Sequence, residues 1–283
     1  MTKPIVAVIA QGTMGAGVGG RLSEKGIDVV TSLAGRSAAS CERAAKAGMR
    51  GVSEAEIAKA AIILSIVPPS DALALAERLA PHLSAAAKKP LYIDCNAVST
   101  EMVQRVAMVI AATGTPFADG GIIGGPPRAG DVGPSVYIAA APAGSLGTLA
   151  RGGLSIKPLD GPVGAASALK MSYAAITKGL SGIASASILA AAKYGASDAL
   201  YAELASSQKG ILPALQRSVP EMFPKAYRFV GEMEEIADHF GRASSAELYR
   251  GMAKLYREIA DDFDKGSKGD VAALAAFFRK REG

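Results

Sequence analysis

The first residues with clear chemical potential form a glycine-rich turn that follows an apolar segment. Residues 5–10 read Ile-Val-Ala-Val-Ile-Ala and lead into Gln-Gly-Thr-Met-Gly, in which Gly12 and Gly15 are three positions apart. A buried strand, close glycines and a helix open a dinucleotide-binding unit, because bare backbone approaches a pyrophosphate and free helical N–H groups stabilise its charge. Ala10 replaces the first glycine of the usual motif, which weakens the signal without removing it. The predicted phosphate-binding residues are Gly12, Thr13, Met14 and Gly15.

The end of the second predicted strand, residues 27–33, indicates which dinucleotide would bind. A carboxylate at this place binds the ribose hydroxyls of NAD and repels a 2′-phosphate. The chain has Ala-Gly-Arg-Ser at residues 34–37 instead, and the guanidinium of Arg36 and the hydroxyl of Ser37 are groups that bind phosphate. The sequence therefore favours NADP(H), with an ordinary solvated arginine as the alternative reading of Arg36.

Composition excludes several classes of protein. A chain of 283 residues that is 49% hydrophobic and 20% charged can bury a full core in two domains. Its few cysteines and histidines are far apart in sequence, which argues against a disulfide framework, a metal site or a Ser-His-Asp triad. The net charge of +5 has no basic run behind it and suits a small anionic substrate at least as well as nucleic acid. No apolar run approaches the roughly 20 residues of a membrane span. We expect a cytoplasmic protein that binds neither nucleic acid nor membrane.

Strands and helices alternate through the first half of the chain. Apolar runs at residues 61–67 and 90–94 predict buried parallel strands, with further strands at residues 117–123, 135–140 and 154–157. This alternation predicts an α/β fold with a Rossmann-like, doubly wound, mostly parallel sheet, which binds ligands outside the carboxyl ends of its strands. The turns expected to line one crevice include Gly12, Arg36, Val67, Pro68 and Asn96.

Alanine-rich helical segments replace the β-branched runs after residue 161. We place a dinucleotide-binding domain at residues 1–161 and an all-helical domain for substrate binding and dimerisation at residues 162–283. Residues 163–194 contain no proline and many small residues, which permit close helix packing. A helix of this length is expected to be covered by its neighbours or by a second subunit, so we predict a homodimer. Further helices are predicted at residues 197–217, 221–240, 244–264 and 270–281.

Several short motifs occur in a characteristic order. They are the turn at Gly12, the Ser-Ile-Val-Pro-Pro strand end at residues 65–69, Asp-Cys-Asn at residues 94–96, Asp-Gly-Gly-Ile-Ile-Gly-Gly at residues 119–125 and a long helix bearing Lys170. This order resembles the β-hydroxyacid dehydrogenases, which include 3-hydroxyisobutyrate dehydrogenase and the 6-phosphogluconate dehydrogenase-like N-terminal domain. The C-terminal helices resemble a branch whose C-terminal domain has no settled function. The resemblance implies an oxidoreductase that transfers a hydride between NADP(H) and a small β-hydroxy carboxylate or its carbonyl form.

The resemblance also implies roles for individual residues. Ile123, Gly124 and Gly125 would present backbone N–H groups to a substrate carboxylate, which suits exposed main-chain donors, although a plain loop is the alternative. Asn96 would position the nicotinamide ribose or the substrate, or simply form a turn. Lys170 would transfer the proton of the substrate hydroxyl, with burial lowering its pKa toward neutrality. A lysine that extends from its helix to solvent is the other reading.

The chain departs from the family pattern at two positions. Ala174 stands where the family has an asparagine one turn after the lysine, and Tyr173 is the candidate to replace that asparagine in catalysis. Glu232 corresponds to a second lysine of the family, which puts the usual substrate in doubt. An imine reductase or reductive aminase and a non-catalytic NADPH-binding protein therefore stay open, although those reductases carry an acid or tyrosine in place of Lys170. We expect the acidic residues around Glu232 to form a solvated helix face and not a metal site.

Overall fold

The computed structural model describes residues 4–128, 130–241 and 244–279. Its first part is an α/β unit built on one eight-stranded sheet. The strands are β1 (Ile5–Ile9), β2 (Asp28–Thr31), β3 (Arg50–Gly51), β4 (Ile62–Ser65), β5 (Leu91–Asp94), β6 (Phe117–Ile123), β7 (Ser135–Ala139) and β8 (Ser155–Leu159). The helices between them are α1 (Thr13–Glu24), α2 (Ala38–Lys46), α3 (Glu54–Ile57), α4 (Ala72–Ala85), α5 (Thr100–Ala111) and α6 (Gly147–Arg151).

The order of the strands confirms the predicted doubly wound sheet. It runs β3-β2-β1-β4-β5-β6-β7-β8, and β1 to β6 are parallel to one another. Strand β7 is antiparallel to β6, which the sequence did not indicate, and β8 runs parallel to β7. The chain moves outward in opposite directions from β1 and β4, so the crevice for a ligand opens at their carboxyl ends.

Helices on both faces explain why the strands are apolar throughout. Residues 6–9 of β1 are completely buried, and their side chains alternate between two cores. Ala7 and Ile9 belong to the core formed with α4 and α5, whereas Val6 and Val8 pack in the core that contains α1. A strand that is buried on both faces reads as a continuous apolar run, and this was the pattern that predicted it.

Helices make up the rest of the chain. They are α7 (Ala165–Lys193), α8 (Ser197–Ser207), α9 (Ile211–Met222), α10 (Ala226–Phe240), α11 (Ser244–Asp264) and α12 (Asp270–Phe278). The single helix predicted at residues 197–217 is in fact two, because the chain leaves helical geometry at Gln208 and α9 begins after Gly210. Glycine has low helix propensity, and this signal was available in the sequence.

The chain divides into two compact units, Met1–Met171 and Ser172–Gly283. The boundary predicted after residue 161 is the point where strands give way to helices. The division into compact units falls ten residues later, because the first turns of α7 belong to the same unit as the sheet. Within the second unit, α10 and α11 form the main helix pair, and their buried residues include Met233, Ile236, Tyr256 and Ile259. Among the described helices, α7 alone is long and apolar enough to cross a membrane, and 39% of its most apolar window is buried. One such helix is weak evidence for a membrane span, because core helices share these properties.

Close packing of α1 against β1 generates a prediction about two glycines of the same helix. A Cβ on Gly15 would lie 1.7 Å from the carbonyl oxygen of Ala10, whereas a Cβ on Gly20 would make an ordinary 3.7 Å contact with Ala47. We expect Gly15→Ala to lower the free energy of unfolding by about 1–3 kcal/mol through overpacking. Gly20→Ala is the matched control and should be neutral or stabilising by up to about 1 kcal/mol, because alanine favours the helix.

Urea unfolding of the cofactor-free protein measures both effects. Equal stability of the two variants would show that α1 does not approach β1 as closely as described.

Candidate active site

The glycine-rich turn presents an open helix N-terminus at the end of β1. Gly12 is the residue before α1, its φ and ψ are −66° and 177°, and no side chain of the described residues caps the helix. A Cβ on Gly12 would meet no atom within 4 Å, so the space above the turn is free. Because the first helical turn leaves its N–H groups without intrahelical partners, this end of α1 attracts an anion. The open space and the uncapped N–H groups fit a dinucleotide pyrophosphate. Thr13, Met14 and Gly15 form the first turn of α1, as the sequence predicts.

Gln11 fastens this turn to the end of β2. Its side chain is 1% exposed, and its amide group donates to the hydroxyl of Thr31 and, at 2.8 Å, to the carbonyl of Ser32. The Thr31 hydroxyl in turn donates to the carbonyl of Val8 at 2.7 Å. The sequence analysis missed this role of Gln11, because nothing local marks a contact across 20 residues. The glycine-rich turn and the end of β2 are therefore held at a fixed separation.

The segment after β2 carries hydroxyl and guanidinium groups. Gly35, with a φ of +69°, completes a turn in which the N–H of Arg36 donates to the carbonyl of Leu33 at 3.1 Å. Ser37 is the N-cap of α2 and accepts a hydrogen bond from the N–H of Ser40 at 3.3 Å. The hydroxyl of Ser37 thus already accepts one hydrogen bond from the helix. Arg36, the preceding residue, is half-buried. A ligand phosphate at this helix N-terminus would meet cationic and hydroxyl groups and no carboxylate of this segment.

Arg43 is a cation of this region that the sequence analysis did not identify. Its Nε donates to the carbonyl oxygen of Gln11 at 2.9 Å, and its Nη2 donates to the hydroxyl of Ser40 at 2.9 Å. The guanidinium therefore lies between the glycine-rich turn and the N-terminus of α2.

The ends of β4 and β5 are joined by Asn96. Its Oδ1 accepts from the N–H of Val67 at 2.7 Å, and its Nδ2 donates to Ser65 Oγ at 2.8 Å and to Asp94 Oδ2 at 2.9 Å. The residue is 1% exposed, so its amide serves protein partners. A direct contact of Asn96 with a ligand stays a prediction, and its observed effect is to shape the loop at Val67. Pro68 follows that loop and is exposed.

The predicted carboxylate loop follows β6. Gly124 has a φ of +126°, which favours glycine, and a Cβ there would lie 3.1 Å from Pro134. A Cβ on Gly125 would meet no atom within 4 Å. Both glycines are exposed and Ile123 is half-buried, so the main chain is accessible to a ligand here.

This loop is fastened to α1. Arg21 of α1 donates through Nη2 to the carbonyl of Arg128 at 2.7 Å and to Asp131 Oδ1 at 2.8 Å. The loop also approaches the helix closely, since a Cβ on Gly17 would lie 3.0 Å from Pro127. The helix that begins at the phosphate turn therefore also supports the loop predicted to hold the substrate carboxylate.

Lys170 lies on the first turns of α7, directly over β6. A Cβ on Gly121 would be 3.4 Å from the Cβ of Lys170 and 2.8 Å from the carbonyl oxygen of Ala166. Burial raises the pKa of Asp94 to about 7, against the lowering effects of its hydrogen bonds from Asn96 and of the Lys170 charge. Burial likewise raises the pKa of the Cys95 thiol, and the charge of Lys170 again opposes the shift. The lysine is therefore within electrostatic reach of the carboxyl edge of β5.

Two residues from the sequence analysis lie in the second unit. The side chain of Tyr173 is 51% exposed on α7. Glu232 forms an ion pair with Lys178, whose Nζ also lies 4.5 Å from the centroid of the Phe229 ring. The acidic residue that stands where the family has a lysine thus has its own cationic partner. The described residues include no group of three or more His, Cys, Asp or Glu side chains placed to hold a metal ion.

Comparison with known proteins agrees with this geometry. Residues 5–146 match the NAD binding domain of 6-phosphogluconate dehydrogenase, and residues 191–259 match a domain of unknown function (DUF1932). No curated protein matches the chain. A conserved protein of unknown function, described as structurally similar to 3-hydroxyacid dehydrogenases, is 26% identical with a TM-score of 0.73, over 93% of this chain and 99% of its own.

Two enzymes of lower identity share the fold. The 3-hydroxyisobutyrate dehydrogenase of Mycobacterium tuberculosis is 16% identical with a TM-score of 0.70, over 97% of this chain and 99% of its own. The reductive aminase of Aspergillus terreus is 16% identical with a TM-score of 0.55, over 99% of this chain and 100% of its own. Since the family match spans just over half of the 283 residues, the chain belongs to the family of proteins built on the NAD binding domain of 6-phosphogluconate dehydrogenase, in the branch with a C-terminal helical domain.

Proposed function

We propose that the protein is an NADP(H)-dependent oxidoreductase that interconverts a small β-hydroxy carboxylate and its carbonyl form, with Lys170 as the proton-transfer residue. The observation that carries the proposal is the position of Lys170 over Gly121, on the strand that leads directly into Gly124 and Gly125. A proton-transfer group and an exposed main-chain anion loop thus belong to the same edge of the sheet. The two cysteines of the protein are free thiols. Free thiols suit the reducing cytoplasm, where we place the protein.

The residues divide the work in the following way. A bound nicotinamide would supply the hydride chemistry, as acceptor from the carbinol carbon in oxidation and as donor to the carbonyl carbon in reduction. The N–H groups at Gly124 and Gly125 hold the substrate carboxylate and so fix its orientation. In oxidation, the amine of Lys170 accepts the hydroxyl proton, and in reduction its ammonium returns a proton to the carbonyl oxygen. Tyr173 is retained as a second candidate for this proton transfer.

The role of Lys170 predicts a selective loss of turnover. We expect Lys170→Ala to reduce kcat by roughly 10²–10⁴-fold, the usual contribution of a positioned acid or base, while NADPH affinity stays within about threefold. Lys59→Ala, which removes an exposed lysine of the same unit, is the control and should leave kcat unchanged. Turnover is measured with NADP(H) and a panel of β-hydroxy acids, keto acids and cyclic imines.

The same panel separates the alternatives. Normal turnover in Lys170→Ala would remove the lysine from the mechanism. Activity confined to uncharged imines would assign the protein to the imine reductases and reductive aminases, whose fold it shares. Tight NADPH binding without turnover of any compound would leave a non-catalytic binding protein.

We infer the preference for NADP(H) from Arg36, the residue that precedes the N-cap of α2. Loss of a charge-assisted phosphate contact costs about 1.5–3 kcal/mol, so Arg36→Ala should weaken NADPH binding by about ten- to a hundredfold and leave NADH binding unchanged. Arg43→Ala should weaken the binding of both NADH and NADPH, because its guanidinium lies at the glycine-rich turn, which would hold the pyrophosphate that the two cofactors have in common. Arg50→Ala, at an exposed arginine paired with Asp28, is the matched control.

Fluorescence titration gives all of these affinities. Equal affinity of the unmodified protein for NADH and NADPH, or an unchanged preference in Arg36→Ala, would contradict the assignment.

We also propose that the protein is a homodimer. Four large apolar side chains on one face of α7 are more than a third exposed, at spacings of three and four residues. Contiguous apolar patches of this kind mark interaction surfaces in most proteins, and a second copy of the chain is the partner of matching character. These side chains are Tyr173, Ile176, Leu180 and Ile183.

The dimer predicts the effect of a charge within this patch. Light scattering should give a dimer at micromolar concentration, and Ile176→Glu should convert it to a monomer because a buried carboxylate without a partner is unfavourable. Ile211→Glu, which is exposed on α9 outside the patch, is the control and should stay dimeric. A monomeric unmodified protein would exclude the dimer.

A further inference from the structure

The buried carboxylate of Asp119 on β6 accepts four hydrogen bonds from the start of α7. The residue is completely buried. Its Oδ2 accepts from the N–H groups of Gly164, Ala166 and Ser167 at 3.0, 2.8 and 3.0 Å, and its Oδ1 accepts from the Ser167 hydroxyl at 2.7 Å. Three of these donors are main-chain groups at the start of α7. Asp119 therefore caps this helix from a strand 48 residues earlier in the chain.

Asp119 and Gly121 hold the same part of α7. They are two residues apart on β6 and so face the same side of the sheet. Asp119 attracts the helix N-terminus, because a negative charge there is stabilised by the N–H groups and the helix dipole. Gly121 sets how closely the helix approaches, since a Cβ would lie 2.8 Å from the carbonyl of Ala166. The bonds from Asp119 thus fix the position of the first turn of α7 along β6, and the packing against Gly121 fixes its distance from β6.

Lys170 is one helical turn beyond these contacts. It follows Ser167 by three residues, and its Cβ lies over Gly121. Asp94 is the register partner of Asp119 on the neighbouring strand, so their side chains lie next to each other on this face. The described groups that act electrostatically on Asp94 include both Asp119 and Lys170. Any shift of the helix at Asp119 would move the lysine relative to Asp94.

We propose that Asp119 is a positioning residue that fixes Lys170 over β6, on the face of the sheet that carries Asp94, by capping α7. The inference rests on the proposed function only for the consequence in turnover, because the placement of the lysine can be measured without any substrate. Asp119 does not touch the reacting atoms. It acts through the three main-chain donors and the hydroxyl of Ser167.

The decisive variant is Asp119→Asn. The amide keeps the shape of the side chain but has one acceptor oxygen in place of two, and its NH₂ group would face main-chain donors. We expect kcat to fall by about ten- to a hundredfold, with KM and NADPH affinity changed less than threefold, because the carboxylate loop and the phosphate turn do not depend on this cap. Ser185→Ala is the matched control, since Ser185 is a buried serine of α7 that donates to the carbonyl of Ser181 and has no part in the cap. It should leave kcat unchanged.

The second readout does not depend on activity. Lysines carrying ¹³C-methyl groups from reductive methylation give separate NMR signals, and the signal of Lys170 is the one missing in Lys170→Arg. In Asp119→Asn the chemical shift and titration midpoint of this signal should change, whereas Ser185→Ala should leave both as they are. A folded Asp119→Asn protein with unchanged kcat and an unchanged Lys170 signal would overturn the proposal.

Two further outcomes are informative. If Asp119→Asn does not fold, Ser167→Ala decides, because it removes only the hydroxyl donor of the cap. A smaller change of the Lys170 signal in the same direction supports the proposal, and no change overturns it. If Lys170→Ala proves fully active, the proposed function fails, yet the NMR signal still reports whether Asp119 holds the lysine.

Discussion

A carboxylate inside a folded chain must be surrounded by donors, and this requirement determines how the sheet meets the long helix. Without partners, the buried charge of Asp119 would cost several kcal/mol. The chain supplies the partners at the one place where a helix has donors to spare, the N-terminus of α7. The strand that ends in the glycine loop and the helix that carries Lys170 are therefore joined by a contact with little freedom.

The same requirement extends across the sheet. Ser65, Asp94 and Asp119 are register partners on three adjacent strands, so they form a polar row through an otherwise apolar layer. Asn96 donates to Ser65 and Asp94, and it accepts from the N–H of Val67, so it also holds the loop at Val67. Hydrogen bonds, which are directional, thus add to the apolar packing that holds the ends of β4 and β5.

Local patterns account for most of what could be predicted. The apolar runs gave the parallel strands, and the spacing of Gly12 and Gly15 gave the turn before α1, because both depend on neighbouring residues. The antiparallel direction of β7 was not predicted, because the apolar pattern that predicted this strand carries no information on its direction. The end of α8 at Ser207 was missed although Gly210 marked the break. The roles of Gln11, Arg43 and Asp119 could not be read from the sequence. Each is a contact between residues 20 or more apart, and it exists only once the strands are ordered.

The attachment of the loop at Arg128 and Asp131 to Arg21 gives α1 two tasks at its two ends. Arg21 lies in the last turn of α1, so the helix whose N-terminus follows Gly12 is bonded at its other end to the carbonyl of Arg128 and the carboxylate of Asp131. Because a helix moves as one element, a displacement at its N-terminus is also felt by the loop bonded to its last turn.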